Sequence, residues 1–255
     1  MKEYLGEFIG TFLLVFIGCG SVAISVLYGT LNLLGVALVF GMGVAVAIYA
    51  VRSMAPAHLN PAVSVAMVFA KRLTVKKLPY YMLAQLGGAL MGAVLLLLIF
   101  DSAIAKYEAF SAIVRGSDSS YRSAMMFGEY FPNPAFEQTY KVSHLKAIFM
   151  EGLGTFVLVI SIFLLTETKR ISANWMPFLI GLTVSILICF IAPYTQGGFN
   201  PARDFSPRLV AYFGGWKEAA FPSVAYSFFS VYIVAPIFGG WLAAWLGKQL
   251  KIIKG

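Results

Sequence analysis

Apolar residues in this chain come in long runs rather than in alternating or one-sided patterns. Six runs, residues 4–27, 33–51, 78–100, 145–166, 175–192 and 223–246, carry almost no charge. A helix needs about 20 such residues to cross a bilayer core, so each run is expected to be a membrane-spanning helix. Two further apolar segments, 61–70 and 201–213, are too short to cross. Each opens with the Pro of an Asn-Pro-Ala triplet, in "AHLNPAVS" at 57–64 and "GGFNPARDFS" at 197–206. Proline suits the first position of a helix, where its missing N–H would be unpaired anyway and its φ is already helical. Each triplet is therefore expected to start a half-length helix. The lead-ins, Ala55-Pro56-Ala57 and Gly197-Gly198, break helix and supply extended backbone.

The chain repeats itself. "GEFIGTFLLV" at 6–15 is echoed by "MEGLGTFVLV" at 150–159, the triplets follow at similar distances, and "LAQLGGALMGA" at 83–93 is echoed more loosely by "APIFGGWLAAW" at 235–245. Duplication of one unit accounts for this. Three full spans per unit is an odd number, so the second copy must enter the membrane inverted, bringing the two half-helices toward the midplane from opposite sides. The expected fold is an all-α membrane protein of six transmembrane helices and two re-entrant half-helices. The first unit would cover 1–100 with its half-helix at 61–70, the second 144–255 with its half-helix at 201–213, and 101–143 would connect them.

Composition narrows the class. Hydrophobic residues make up 60% and charged residues 12%, with a mean hydropathy of +0.82, which excludes an ordinary soluble domain. The net charge of +8 does not mark a nucleic-acid surface, because the basic residues sit in short loops between apolar runs. Lys2, Lys71, Arg72, Lys76, Lys77, Lys169, Arg170, Lys248, Lys251 and Lys254 fall on one side of a six-span plan. The positive-inside rule makes that side cytoplasmic, with both termini inside a cell membrane. The connection 101–143 is polar, mixed in charge and too long for a tight turn, and is expected to fold over the outer mouth. Cys19 and Cys189 lie alone in apolar runs, suggesting neither a disulfide nor a zinc site. The first run is long enough to remain as a span rather than a cleaved leader.

Irregular backbone at membrane depth survives only where protein buries it or a wet cavity receives it. Two facing half-helices with extended lead-ins therefore point to a pore. The carbonyls of Pro56, Ala57, His58 and Leu59, and of Gln196, Gly197, Gly198 and Phe199, would form a ladder of acceptors along one wall. Asn60 and Asn200, at the positive ends of the half-helix dipoles, could donate to a passing oxygen while the dipoles oppose cations. Arg203 is costly in lipid and is placed at the outer constriction, where it would donate to solute and repel cations. Arg208, further along, suits a helix-end Arg reaching the interface. Glu7 and Glu151, at matching points of the repeat, are expected to accept hydrogen bonds from loop N–H groups. No cofactor or metal is expected, and no nucleophile has a spaced base, so an enzyme is the weakest candidate. A secondary transporter stays open, since broken helices in inverted repeats also build alternating-access sites.

Taken together, "HLNPAV", "FNPAR", the Glu-x-x-Gly-Thr-Phe openings and the six-plus-two plan resemble the major intrinsic proteins, the aquaporin and aquaglyceroporin family, over nearly the whole chain. Asp204 after the Arg, Arg208, "IVRGS" at 113–117 and "YFPNP" at 130–134 resemble the bacterial glycerol facilitators. The resemblance implies a homotetramer with one pore per subunit, passing glycerol and water and excluding ions. It also implies a selectivity filter of Phe40, Ile188, Gly197 and Arg203, an inner pore lined by Val44, His58, Leu158 and Val184, and a loop-supporting role for Asp204. The filter departs from the family: strict water channels usually have His where Ile188 stands, and glycerol facilitators usually have Trp where Phe40 stands and a second aromatic near Gly197. Pro56 stands where the family often has Gly. A channel mainly for water or another small neutral solute therefore stays open beside the polyol channel.

Overall fold

The computed structural model describes residues 1–168, 171–222 and 226–253. The expected charges Lys169, Arg170 and Lys254 and the start of the last apolar run at Ser223 lie outside the described residues. Eight helical segments carry the fold: α1 (Lys2–Tyr28), α2 (Leu33–Val51), α3 (Pro61–Phe69), α4 (Leu78–Phe110), α5 (His144–Glu167), α6 (Met176–Thr195), α7 (Pro201–Ala211) and α8 (Ser227–Gln249). All but α3 and α7 are long and apolar enough to cross a membrane. No strand occurs among the described residues.

Local chemistry sets the ends. Asn32 caps α2 by accepting from Gly35 N at 2.9 Å, and Ser143 caps α5 by accepting from Lys146 N at 3.2 Å, each pairing an N–H that the helix leaves unbonded. Gly29 closes α1 in the left-handed region at φ 65°, a common helix stop. In α8 the turn Ser230–Val234 is wide. Pro236, just beyond it, has no N–H to return to the preceding turn, a usual cause of such a bulge.

Of the segment boundaries that differ from those expected, three concern α4 and the half-helices. Helix α4 continues ten residues past 100 to Phe110. This extension is helical because it buries one face: Ile104 is fully buried, and Glu108 accepts from Ser123 Oγ at 2.7 Å and pairs with Arg115 at 3.0 Å. Helix α7 ends at Ala211, not 213, and passes into the wide turn Tyr212–Trp216, where Gly215 has φ 103°. Helix α3 ends at Phe69, with Ala70 as its cap.

Packing follows the repeat. α1 lies against α2 and α4, while α5 lies against α6 and α8. The half-helices cross over, α3 packing on α8 and α7 on α4, and α2 and α6 form the seam between the halves. Close approach is bought by small residues. A Cβ on Gly88 of α4 would overlap the Phe8 carbonyl of α1, one on Gly239 of α8 would overlap the Gly152 carbonyl of α5, and Gly41 and Gly181 meet in the same way across α2 and α6. Apolar helices gain nothing from burial away from lipid, so backbone contact of this kind is what holds them together.

Gly88→Val and Gly239→Val are expected to abolish the monodisperse peak in detergent size-exclusion chromatography, because backbone carbonyls cannot move aside. Gly29→Ala, with open space around it, should cost only about 1 kcal/mol of left-handed strain and keep the peak. A normal profile for Gly88→Val would contradict the packing argument.

Candidate functional site

Both Asn-Pro-Ala triplets obey one set of local rules. Asn60 and Asn200 have extended backbone, at φ −159° and −140°, and cap their helices. Oδ1 of Asn60 accepts from Ala62 N at 2.8 Å; Oδ1 of Asn200 accepts from Ala202 N at 3.0 Å and Arg203 N at 3.3 Å. One amide N–H of each then crosses to the other repeat. Asn60 Nδ2 donates to Phe199 O and Asn200 Nδ2 donates to Leu59 O, both at 2.8 Å. The half-helices are thus tied N-terminus to N-terminus, and the second N–H of each amide is left for the cavity that both side chains line.

Both lead-in loops contain left-handed backbone, which in the second begins at Gln196, with φ 64°. Ala57 and Leu59 have φ 57° and 53°, and Gly197 and Phe199 have φ 75° and 52°. Successive N–H groups then converge on one side, forming a nest for an anion. Glu7 fills the first nest, accepting from His58 N at 2.8 Å and Leu59 N at 2.7 Å. Glu151 fills the second, accepting from Gly198 N at 3.0 Å and Phe199 N at 2.8 Å. Both carboxylates are fully buried. Gln85 Nε2 donates to Glu7 at 2.8 Å and Thr195 Oγ1 to Glu151 at 2.6 Å. Left-handed backbone costs roughly 1 kcal/mol per non-glycine residue. Hydrogen bonds to a charged acceptor, worth about 1.5–3 kcal/mol each, offset it. With N–H groups spent on the carboxylates, the carbonyls are left for the other side.

The Glu-x-x-Gly spacing has a second use. A Cβ on Gly10 would overlap the Leu59 side chain, and one on Gly154 would overlap the Phe199 ring. One turn after each Glu, the glycine makes room for the residue just before the Asn. Leu59 and Phe199 are consequently buried, at 2% and 3% exposure.

Two cavities run end to end. The inner one, about 260 Å3, is bounded by Pro56, Ala57, His58, Leu59 and Asn60 from one loop and by Gly197, Gly198, Phe199 and Asn200 from the other. Its apolar side comes from Phe40, Val44, Leu158 and Val184, with Leu14, Ile48, Ile162 and Ile180. The outer one, about 720 Å3, is lined by Ile188, Gln196 and residues of the 101–143 connection, among them Asn133, Phe136 and Glu137. Phe40 and Arg203 border both, so the cavities meet between these two side chains. The Arg203 guanidinium carbon lies over the Phe40 ring, 5.3 Å from its centroid. His58, in the inner cavity, has Nδ1 3.2 Å from Ser64 Oγ.

Arg203 is held from behind by residues that sequence reasoning missed. Its Nε lies 2.6 Å from Glu129 Oε1, and its Nη1 donates to Phe127 O at 3.1 Å. Glu129 is placed in turn, its N–H donating to Asp204 Oδ1 at 2.9 Å and its carbonyl accepting from Arg208. Arg208 does not reach an interface as the sequence suggested. It is fully buried, with Nε and Nη2 each 2.8 Å from the Asp204 carboxylate. A buried guanidinium needs such a partner. Asp204 therefore bonds the connection 101–143, through Glu129 N, as well as Arg208. A Glu within the apolar stretch Met125-Met126-Phe127-Gly128-Glu129-Tyr130 was the available signal for this brace.

The connection is stitched to the end of α6. Tyr130 N donates to Gln196 Oε1 at 2.8 Å, Gln196 Nε2 to Met125 O at 3.1 Å and Asn133 Nδ2 to Ala192 O at 2.7 Å. At the inner end Arg72, read from sequence only as a topology charge, also lines the cavity, donating to Thr166 Oγ1 at 3.2 Å and pairing with Glu167. No cluster of His, Cys, Asp and Glu able to hold a metal occurs among the described residues.

The sequence profile described as Major intrinsic protein matches residues 1–246. A glycerol uptake facilitator protein of Pseudomonas aeruginosa is 37% identical over 95% of this chain and 86% of its own. A propanediol uptake facilitator of Citrobacter freundii is 33% identical over 97% and 91%. Among solved structures, the X-ray structure of the aquaglyceroporin from Plasmodium falciparum superposes with a TM-score of 0.81 at 23% identity, covering 98% of this chain and 96% of that one; this likeness speaks to the fold.

Glu151→Gln turns one acceptor oxygen into a donor facing backbone N–H groups. The variant is expected to lose about 2 kcal/mol and at least roughly 4 °C of melting temperature in detergent. An unchanged melting temperature would show that the carboxylate does not hold the loop.

Proposed function

The chain belongs to the major intrinsic protein family, and from that membership we propose that it is a passive channel for glycerol and related small neutral polyols, which also conducts water. One observation carries the reading: the inner cavity is lined both by the irregular backbone of the two lead-in loops and by apolar side chains of the spanning helices. A polyol has hydroxyls along one edge and carbons along the other, so it can pass with both edges matched. Carbonyls of residues 56–58 and 196–198 accept its hydroxyls, those of Leu59 and Phe199 being taken by the asparagine amides, while Phe40, Val44, Leu158 and Val184 receive its carbons.

Charge exclusion follows from the same elements. Arg203 donates to solute at the outer junction and opposes cations. Asn60 and Asn200 donate to an oxygen at the meeting point of the half-helices, where two positive dipole ends converge. A water held there donates outward in both directions, which interrupts a proton wire. In this reading Phe40, Ile188, Gly197 and Arg203 form the filter. No covalent step, cofactor or ion gradient is needed.

Orientation is part of the proposal. Lys77 lies 2.8 Å from Glu3, and Arg72 pairs with Glu167, so the start of α1, the basic loop 71–77 and the end of α5 share one end of the molecule. The positive-inside rule supports a cytoplasmic placement of that end in a cell membrane. Exposed apolar ridges at Leu34, Leu38, Met42 and Val46 of α2 and at Phe178, Leu182, Ile186 and Phe190 of α6 offer faces for lipid or for further copies in a homotetramer.

A channel mainly for water is the second reading. It is favoured by Phe40 and Gly197, where the facilitator pattern has a Trp and a second aromatic nearby, so that Phe40 is the one ring shared by the two cavities among the described residues.

Proteoliposomes mixed with hyperosmotic glycerol in a stopped-flow instrument should shrink and then re-swell rapidly. Shrinkage without re-swelling would overturn the polyol reading and leave the water channel. Arg203→Val, checked for folding, should raise cation leak roughly tenfold, equivalent to about 1.4 kcal/mol of lost repulsion; an unchanged leak would remove Arg203 from the filter.

A further inference from the structure

We propose that Gly18 sets the width of the junction between the two cavities, and with it the largest polyol that passes. The proposal rests on the channel reading and adds a residue to it, on α1, outside every segment so far assigned to the filter. Phe40 is a boundary of both cavities, and its position is fixed by what lies beneath its ring. A Cβ built on Gly18 would stand 2.7, 2.7 and 2.8 Å from three consecutive ring carbons of Phe40. Near-equal distances to neighbouring carbons place Gly18 under the face of the ring rather than at its rim. The Arg203 guanidinium carbon also lies over the ring, 5.3 Å from its centroid. Phe40 is therefore seated on the α1 backbone with Arg203 beside it, and the missing Gly18 side chain lets it sit back.

Carbon atoms pack at about 3.5–4.0 Å, so a methyl group at position 18 requires the ring to shift by roughly 1 Å. α1 offers no recess, since its backbone lies immediately behind. The remaining direction is away from α1, into the junction that the ring borders. The glycine is not there for the helix: mid-helix glycine is less favourable than alanine by about 1 kcal/mol. Gly18→Ala is thus neutral or better for α1 itself, and its conflict is with the Phe40 ring. A single methylene in an apolar pocket discriminates solutes by roughly tenfold or more, and a ring displaced into a narrow passage acts in the same way.

The test uses purified protein in proteoliposomes, with water, glycerol and the four-carbon polyol erythritol. Gly18→Ala should lower glycerol permeability about tenfold more than water permeability, with a larger loss for erythritol. Phe40→Ala should raise erythritol relative to water, and adding it to Gly18→Ala should remove the glycerol deficit. If Gly18→Ala leaves the glycerol-to-water ratio unchanged while Phe40→Ala alters the erythritol ratio, the role of Gly18 is overturned and the channel reading stands. If neither variant shifts any ratio, Phe40 is not at the narrow point and both assignments fail. Should Gly18→Ala not reach the membrane, Phe40→Leu is compared with Gly18→Ala/Phe40→Leu, where the shorter side chain eases the clash enough to fold but is still pushed off α1. The double variant should then be the slower for glycerol, and equal rates would overturn the proposal.

Discussion

The backbone N–H groups of residues 58, 59, 198 and 199 have to be paired at a depth where lipid offers nothing, and the architecture answers to that constraint. Two buried carboxylates, Glu7 and Glu151, supply the acceptors. Because each occupies a nest of N–H groups on one side of its loop, the carbonyls are released to the other side. Reciprocal bonds from Asn60 and Asn200 then lock the two loops against each other at 2.8 Å. A hydrogen-bonded pair of loops is thereby held inside an otherwise apolar bundle. Placing one such carboxylate in hydrocarbon would be costly; its burial against preorganised N–H groups makes it a scaffold.

Much of the fold was legible in the sequence because it obeys local rules. Apolar runs of span length, Asn caps, Pro at the first helical position and the duplicated Glu-x-x-Gly opening each report on their neighbours in the chain. Residues beside the two triplets were readable for the same reason, and they line the inner cavity. The extension of α4 to Phe110 was less visible, because past residue 100 its apolar face is interrupted by Asp101, Lys106 and Glu108 and no longer reads as a run. Residues that act across the chain were not legible at all. Glu129 reaches Arg203 over more than seventy positions, and Gly18 reaches Phe40 through a side chain it lacks. Arg208 was misread because a helix-end arginine usually finds water, whereas here Asp204 one turn earlier neutralises it inside the protein.

The junction between the cavities is thereby a composite. Phe40 comes from α2, Arg203 from α7, the seat of Phe40 from α1, and the brace of Arg203 from the connection 101–143. Charges in this brace alternate: Arg203 against Glu129, and Arg208 against Asp204, all of them buried. Such a network holds a guanidinium at the lumen in one orientation while its charge stays compensated from behind. The groups behind Phe40 and Arg203 thus position the side chains that border both cavities.

The most direct measurement is a high-resolution experimental structure of the protein equilibrated with glycerol. The account requires solute oxygens within about 2.6–3.2 Å of both Asn60 Nδ2 and Asn200 Nδ2 and of the carbonyls leading to them, with solute carbons against Val44, Leu158 and Val184. Solute density that bypasses the two asparagines, or a lumen in which N–H groups rather than carbonyls face the solute, would contradict it.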